Sequence, residues 1–166
     1  IHSSEPKRKK DENGKTISNK ANDEDASYTS KRGRKHHGYK IHIATDTNSI
    51  IKEVITTTAK THDSTQFDTL TKDETKAVFA DSGYMSQERK RTLRSKGIFN
   101  GITERRVRGQ SKLRTKQSKN NTKFSKVRAL VELPFAFIKK LMKYTETKYL
   151  GLHKNSQHVF LIAAAY

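Results

Sequence analysis

A short apolar run, A77-V-F-A80, stops on a carboxylate, Asp81, and is followed by Ser82, Gly83 and Tyr84. A run without polar alternation suits a strand covered on both faces, so it calls for helices packed on a sheet. Material for such layers is scarce. Hydrophobic residues make up 31% of the 166, which confines the core to a few segments of a chain whose length fits one domain.

Those segments lie mainly after residue 38. In Y39-K-I-H-I-A-T-D46 the apolar Tyr39, Ile41 and Ile43 alternate with Lys40, His42 and Ala44, the period of a half-buried strand. I50-I-K-E-V-I-T-T-T58 is β-branched throughout, and D46-T-N-S49 supplies turn residues between them, so a hairpin is predicted. Asp63 with Gln66 fits a capping box opening a short helix through about Leu70. After the strand at 76–80, Ser86 is placed to cap a helix to Lys96, with Glu88 in its first turn and Gly97 as its stop. I98-F-N-G-I102 reads as another short strand. A third helix is expected from about Thr122 to Lys143 and a fourth from about Ser156 to the end. Strands alternating with helices after an opening hairpin give an α/β class with a mixed sheet.

Two stretches have little to pack. Residues 5–36 carry charges of both signs with Asn, Ser and Gly and are expected to form a flexible charged loop. Residues 103–120 form a second, basic loop. I1-H-S-S4 resembles the tail of a strand; residue 1 is Ile and the last segment ends in an apolar run, so the sequence is expected to be a fragment.

With 35 Lys and Arg against 17 Asp and Glu, the net charge is +18, which a chain of this size tolerates best beside a polyanion. Nucleic acid is the expected partner. No apolar stretch reaches the ~18 residues a membrane span needs. The absence of cysteine removes disulfides and thiol chemistry and fits a reducing compartment such as the cytoplasm.

On one continuous helix, at ~100° per residue, Arg128, Glu132 and Lys139 fall within about 40° of each other. This charged stripe reads either as an Arg128–Glu132 surface salt bridge or as a functional edge. Pro134 removes a hydrogen bond to Leu130, so the helix should kink or restart there, leaving Glu132 at a boundary. Asp81 before Ser-Gly is ordinary turn chemistry, but the end of a central strand is also where ligands sit in open α/β sheets.

A77-V-F-A-D-S-G-Y84 followed by R128-x-x-x-E132-x-x-x-x-x-x-K139 resembles the catalytic domain of bacterial insertion-sequence transposases of the DDE type. G38-Y-K-I-H-I-A-T-D46 and T61-H-D63 extend the likeness. The resemblance implies a ribonuclease-H-like mixed sheet with flanking helices, its first strand largely missing here, with Asp81 as second catalytic Asp and Glu132 as catalytic Glu. Both are then metal ligands for Mg²⁺ or Mn²⁺, and Lys139 and Arg128 position phosphates or support the metal site. Ser125 stands where the family signature has Tyr, beside Phe124. The family's first Asp falls before residue 1, and Asp46 at a strand tip does not replace it, so the chain is expected to be inactive or nearly so. Two divalent ions about 3.5–4 Å apart are how such acids serve phosphodiester cleavage.

The basic tracts Lys7, Arg8, Lys9 and Lys10; Lys31, Arg32, Arg34 and Lys35; and Arg105, Arg106 and Arg108 read as DNA contacts with poor sequence discrimination. The resemblance implies double-stranded DNA, the terminal inverted repeats and target, as partner, a homodimer on DNA, and a place on the bacterial nucleoid. His42 reads as strand surface, and His36 and His37 as loop. The rival to a metal-dependent nuclease and strand transferase is a non-catalytic basic nucleic-acid-binding protein.

Overall fold

The computed structural model describes residues 1–5, 8–10, 16–18, 23–31, 33–106 and 108–166; for 8–10, 16–18 and 31 the backbone alone is described. Strands β1 (Arg8–Lys10) and β2 (Thr16–Ser18) form an antiparallel pair. Strands β3 (Ser27–Lys31), β4 (Arg34–Thr45) and β5 (Ile51–Thr58) form an antiparallel sheet with β4 in the middle. The predicted hairpin is therefore present. Its turn is closed by Asp46, whose Oδ1 accepts from the backbone N–H groups of Asn48 and Ile50 at 2.8 and 2.9 Å. β4 begins earlier than the alternation of apolar residues does, because its first residues, Arg34 to Gly38, pair with β3 rather than β5. The stretch expected as a charged loop thus contains three short strands.

A short 3₁₀ turn, Asp63–Gln66, leads into α1 (Phe67–Leu70). The cap differs from the expected capping box: His62 accepts from Ser64 N–H, while Asp63 turns to the Lys40 ammonium at 2.9 Å. β6 (Ala77–Val78) and β7 (Phe99–Asn100) pair in parallel, joined through α2 (Gln87–Ser95). Here the local signals act as written, since the Ser86 side chain accepts from Arg89 N–H and Gly97 takes the left-handed conformation at φ 68°. α3 (Thr115–Arg128) starts inside the predicted basic loop. A 3₁₀ turn (Ala129–Val131), α4 (Glu132–Ala136) and a π-helical turn (Phe137–Leu141) follow, so the expected single helix is broken around Pro134. α5 (Leu152–Ala164) closes the chain.

Mixed α/β architecture with flanking helices is what was expected, but the sheet is in pieces. Among the described residues no backbone ladder joins β4 to β6, since a ladder requires a strand bonded to both. The core has two corresponding parts. Ile43 of β4 packs with Ile138, Tyr144, and Val159 and Ile162 of α5; Phe67, Val78, Leu93, Ile98 and Ile102 form the other cluster. Each fully buried aliphatic side chain contributes about 1.5–3 kcal/mol.

Ile1–Ser3 lies along β4. The backbones of Ile1 and Tyr39 exchange hydrogen bonds, and Ser3 N–H donates to His37 O at 2.9 Å. On its other side His2 bonds to Thr145 and Thr147. Gly38 permits this approach, because a Cβ there would strike the Ile1 carbonyl oxygen.

Asp23, 1% exposed, ties these pieces together. Its carboxylate accepts from Ser3 Oγ at 3.1 Å, Tyr39 OH at 2.6 Å and Gly151 N–H at 3.1 Å. Two residues on, Asp25 Oδ2 accepts from Leu152 N–H at 2.8 Å, which caps α5 and starts it before the predicted Ser156.

The histidines also differ from expectation. His36 and His37 are in β4, with the His37 ring tilted against that of Tyr28 at 4.6 Å. His42 is buried, because α1 and the turn before it cover the sheet face opposite α5. Its Nε2 lies 2.9 Å from Thr57 Oγ1. Burial holds the imidazole below its ordinary value, with Asp63 opposing and Lys40 assisting. A depressed histidine is neutral in the fold and takes up protons on unfolding. Stability should therefore fall as pH drops through the ordinary histidine range near 6.5. A His42→Gln chain should lose less stability between pH 7.5 and pH 5 than the parent, read by urea unfolding at the two pH values; equal losses would remove His42 as the cause.

Candidate active site

β6 delivers Asp81 just past its C-terminal end. The carboxylate begins a 3₁₀ turn, Ser82–Tyr84, and its Oδ1 accepts from Ser82 N–H at 2.6 Å, leaving Asp81 exposed. Its local role is thus the turn chemistry the sequence allowed, with one carboxylate oxygen outside that bond. Facing this turn is the other one, Asp63–Gln66. Arg89 from α2 holds the two together: its Nη1 donates to Tyr84 O at 2.9 Å, its Nη2 to Ser64 O, and its guanidinium stacks 4.8 Å from the centroid of Phe67.

Tyr84 sits between the turns, half-buried, its ring 5.9 Å from that of Phe67. Burial first, then the charges of Asp63 and Asp81, pushes its phenol up, while Arg89 and Arg128 pull it down. Arg128 ends α3 and Glu132 opens α4 one turn later, exposed, at the boundary predicted from Pro134. No ion pair joins Arg128 to Glu132 among the described residues, so the salt-bridge reading of this spacing is not what the fold uses.

Lys139 lies in the π-helical turn, exposed, with its Nζ 5.7 Å from the ring centroid of Phe135 and within electrostatic reach of Ile1. Because the helix is interrupted twice between Arg128 and Lys139, their alignment on one ideal stripe does not hold. Asp46 is far from this constellation in role, spent on the β4–β5 turn. Asp63, read from sequence as a cap, is instead spent on the Lys40 ammonium at 2.9 Å.

Among the described residues no three His, Asp or Glu side chains are grouped closely enough to hold a metal ion. Asp81 and Glu132 nevertheless offer hard oxygen donors from two separate elements, the donor type that suits a divalent cation such as Mg²⁺. Of the basic tracts, Lys7 and Arg32 lie outside the described residues. Arg8, Lys9 and Lys10 are in β1 and Lys31 ends β3, while Arg34, Lys35, Arg105, Arg106 and Arg108 are exposed. Arg106 is partly anchored, donating to Ser111 O at 2.9 Å.

Residues 8–166 match the family model described as a transposase DDE domain, a span that takes in both acids and the whole helical signature. The chain belongs to the DDE transposase family. It is similar to the transposase for insertion sequence element IS1106 of Neisseria meningitidis serogroup B, 32% identical over 143 residues, which is 85% of this chain. That stretch is 49% of the relative, so the chain spans about half the length of the curated protein it matches. No solved structure matches it. DDE transposases generally use divalent metal ions and act on DNA, and among the described residues no helix is long and apolar enough to cross a membrane.

Proposed function

We propose that this DDE transposase chain is a catalytic portion of an insertion-sequence transposase, of ribonuclease-H-like fold, whose full form cuts and rejoins phosphodiesters at the element's terminal inverted repeats. This reading is supported by the family match over residues 8–166, together with Asp81 just past the end of β6 and Glu132 at the start of α4. The placing of Ile1–Ser3 against β4 supports the fold, because the ribonuclease-H-like order puts its first strand on that edge.

Asp81 and Glu132 hold the divalent cation in this reading. When bound, Mg²⁺ or Mn²⁺ would activate the attacking oxygen and relieve charge on the leaving one. Arg128 offers a fork of donors for phosphate oxygens, and Lys139 a point charge on the adjoining backbone. Arg89 positions: by bonding both 3₁₀ turns it fixes where Asp81 stands relative to Asp63. Duplex DNA is the partner, bound by a dimer of the full protein, with the arginines and lysines among residues 7–10, 31–35 and 105–108 on the phosphates.

The 166 residues carry two of the family's three acids in this reading, so alone they should nick an inverted-repeat duplex in Mn²⁺ at background level. The same chain extended upstream by a family strand bearing the first Asp should nick it, and Asp81→Ala or Glu132→Ala should return that activity to background, a loss of at least ~10³-fold for removing a ligand of a two-metal site. Binding of the duplex should survive both substitutions. Full nicking by Asp81→Ala would end the assignment and leave a basic binding protein.

A further inference from the structure

A groove of about 910 Å³ lies between α2, β7 and α3. It starts at Glu104, whose neighbour Thr103 bonds to Ala80, the residue before Asp81. Its floor is built from the polar side chains that hold the basic loop in place. Glu104 accepts from Lys90 at 2.7 Å and from Gln117 Nε2, and Lys90 above all keeps its carboxyl below the usual range. Asn121 bonds both backbone groups of Glu104, at 2.9 and 2.7 Å. These groups are used up.

Others are not. Arg94, Arg114 and Lys116 line the groove and make no ion pair among the described residues, and the side-chain amide of Asn120 makes no hydrogen bond among them. The one carboxylate of the lining, Glu104, is already neutralised by Lys90, so the free charge of the groove is wholly positive. Among these cations stands Phe99, 53% exposed. It is held on edge by Phe124, whose ring is 5.8 Å away at 83°, and by Phe79 at 5.9 Å. Phe79 and Phe124 are themselves packed at 5.8 Å, so three rings brace one another and Phe99 presents its outer side to the groove as a rigid surface.

A rigid, half-exposed aromatic ring among unpaired cations and a free amide is the chemistry of a site for an unpaired nucleotide. The ring stacks on a base, the cations take phosphates and the amide meets a base edge. A duplex presents phosphates but not open base faces, so it would use the cations and leave Phe99 idle. We propose that this groove binds a single-stranded segment of DNA, with one unpaired base stacked on Phe99 and its backbone held by Arg94, Arg114 and Lys116. The proposal rests on the DNA-cleaving reading for its substrate, and it gives the strand beside the Asp81 turn a place to go once it is no longer paired.

The test is fluorescence anisotropy in EDTA, so that cleavage plays no part. A labelled oligothymidylate of about a dozen nucleotides is compared with a duplex of equal length, using the parent and Phe99 variants. Phe99→Ala and Phe99→Leu should each weaken single-strand binding about tenfold or more, with duplex binding changed less than about twofold, and Phe99→Tyr should bind the single strand as the parent does. Phe99→Leu keeps apolar volume for Phe79 and Phe124, so it reports on stacking even where Phe99→Ala loosens the fold, which circular dichroism reveals. Single-strand affinity unchanged in Phe99→Leu, or lost equally for the duplex, overturns the proposal. Loss of the groove effect with nicking by the extended chain intact would sink the groove alone; absence of nicking with the Phe99 effect intact would sink the active-site reading alone.

Discussion

Asp23→Ala should lower the unfolding free energy by about 4 kcal/mol, a large part of the ~5–15 kcal/mol of a typical domain. The carboxylate is almost fully buried and serves three donors from distant parts of the chain: Ser3 Oγ, Tyr39 OH and Gly151 N–H. Removing it leaves the Tyr39 phenol, 2% exposed, without an acceptor. A buried donor stranded in this way costs about 1–3 kcal/mol, and the side chain's own cavity adds to that. Burial, and then the bond to Asp23, keep the phenol protonated far above its ordinary range, so it stays a donor at every accessible pH. Asp25→Ala is the matched control. It removes the cap on Leu152 from an exposed carboxylate and should cost only about 1 kcal/mol. Urea unfolding decides the matter: a midpoint shift for Asp23→Ala no larger than that for Asp25→Ala would show that the buried cluster is not what holds residues 1–4, β4 and α5 together.

Duplex affinity should collapse with salt. A net charge of +18 and exposed arginines at 34, 105, 106 and 108 are suited to phosphate contacts, which carry no sequence information. With six to ten such contacts, affinity should fall roughly 10³–10⁵-fold between about 50 and 200 mM salt, since each neutralised phosphate releases counterions. Replacing Arg105, Arg106 and Arg108 together by Ala should flatten the logarithmic slope by about 2–3, as close to one counterion is lost per contact. A scrambled duplex should bind nearly as well as an inverted repeat. A shallow slope, near that for one or two contacts, would move the binding energy from phosphates to something the present charge distribution does not supply.

Local signals were legible where a residue's partner lies close in sequence. Ser86 capping α2, Gly97 ending it, the Asp46 turn and the β-branched β5 strand all formed as read, because each bond closes within a few residues. The break at Pro134 that leaves Glu132 opening a helix was legible for the same reason: a missing N–H is a property of one residue. Asp63 was not. Its choice between capping its own turn and meeting Lys40 depends on β4 lying alongside, 23 residues away in sequence. The burial of His42 likewise needed α1 to cover a face that alternation alone leaves open.

The residues themselves determined the class of the molecule, its basic character and its resemblance to the family, since composition, short-range bonds and motif spacing are carried by the chain. Tertiary packing alone decided that a segment with almost nothing apolar, residues 23–31, is anchored rather than loose, and where α5 begins. Both follow from carboxylates at 23 and 25 meeting N–H groups 127 or 128 residues away, a pairing between polar groups that leaves no periodic trace in the sequence.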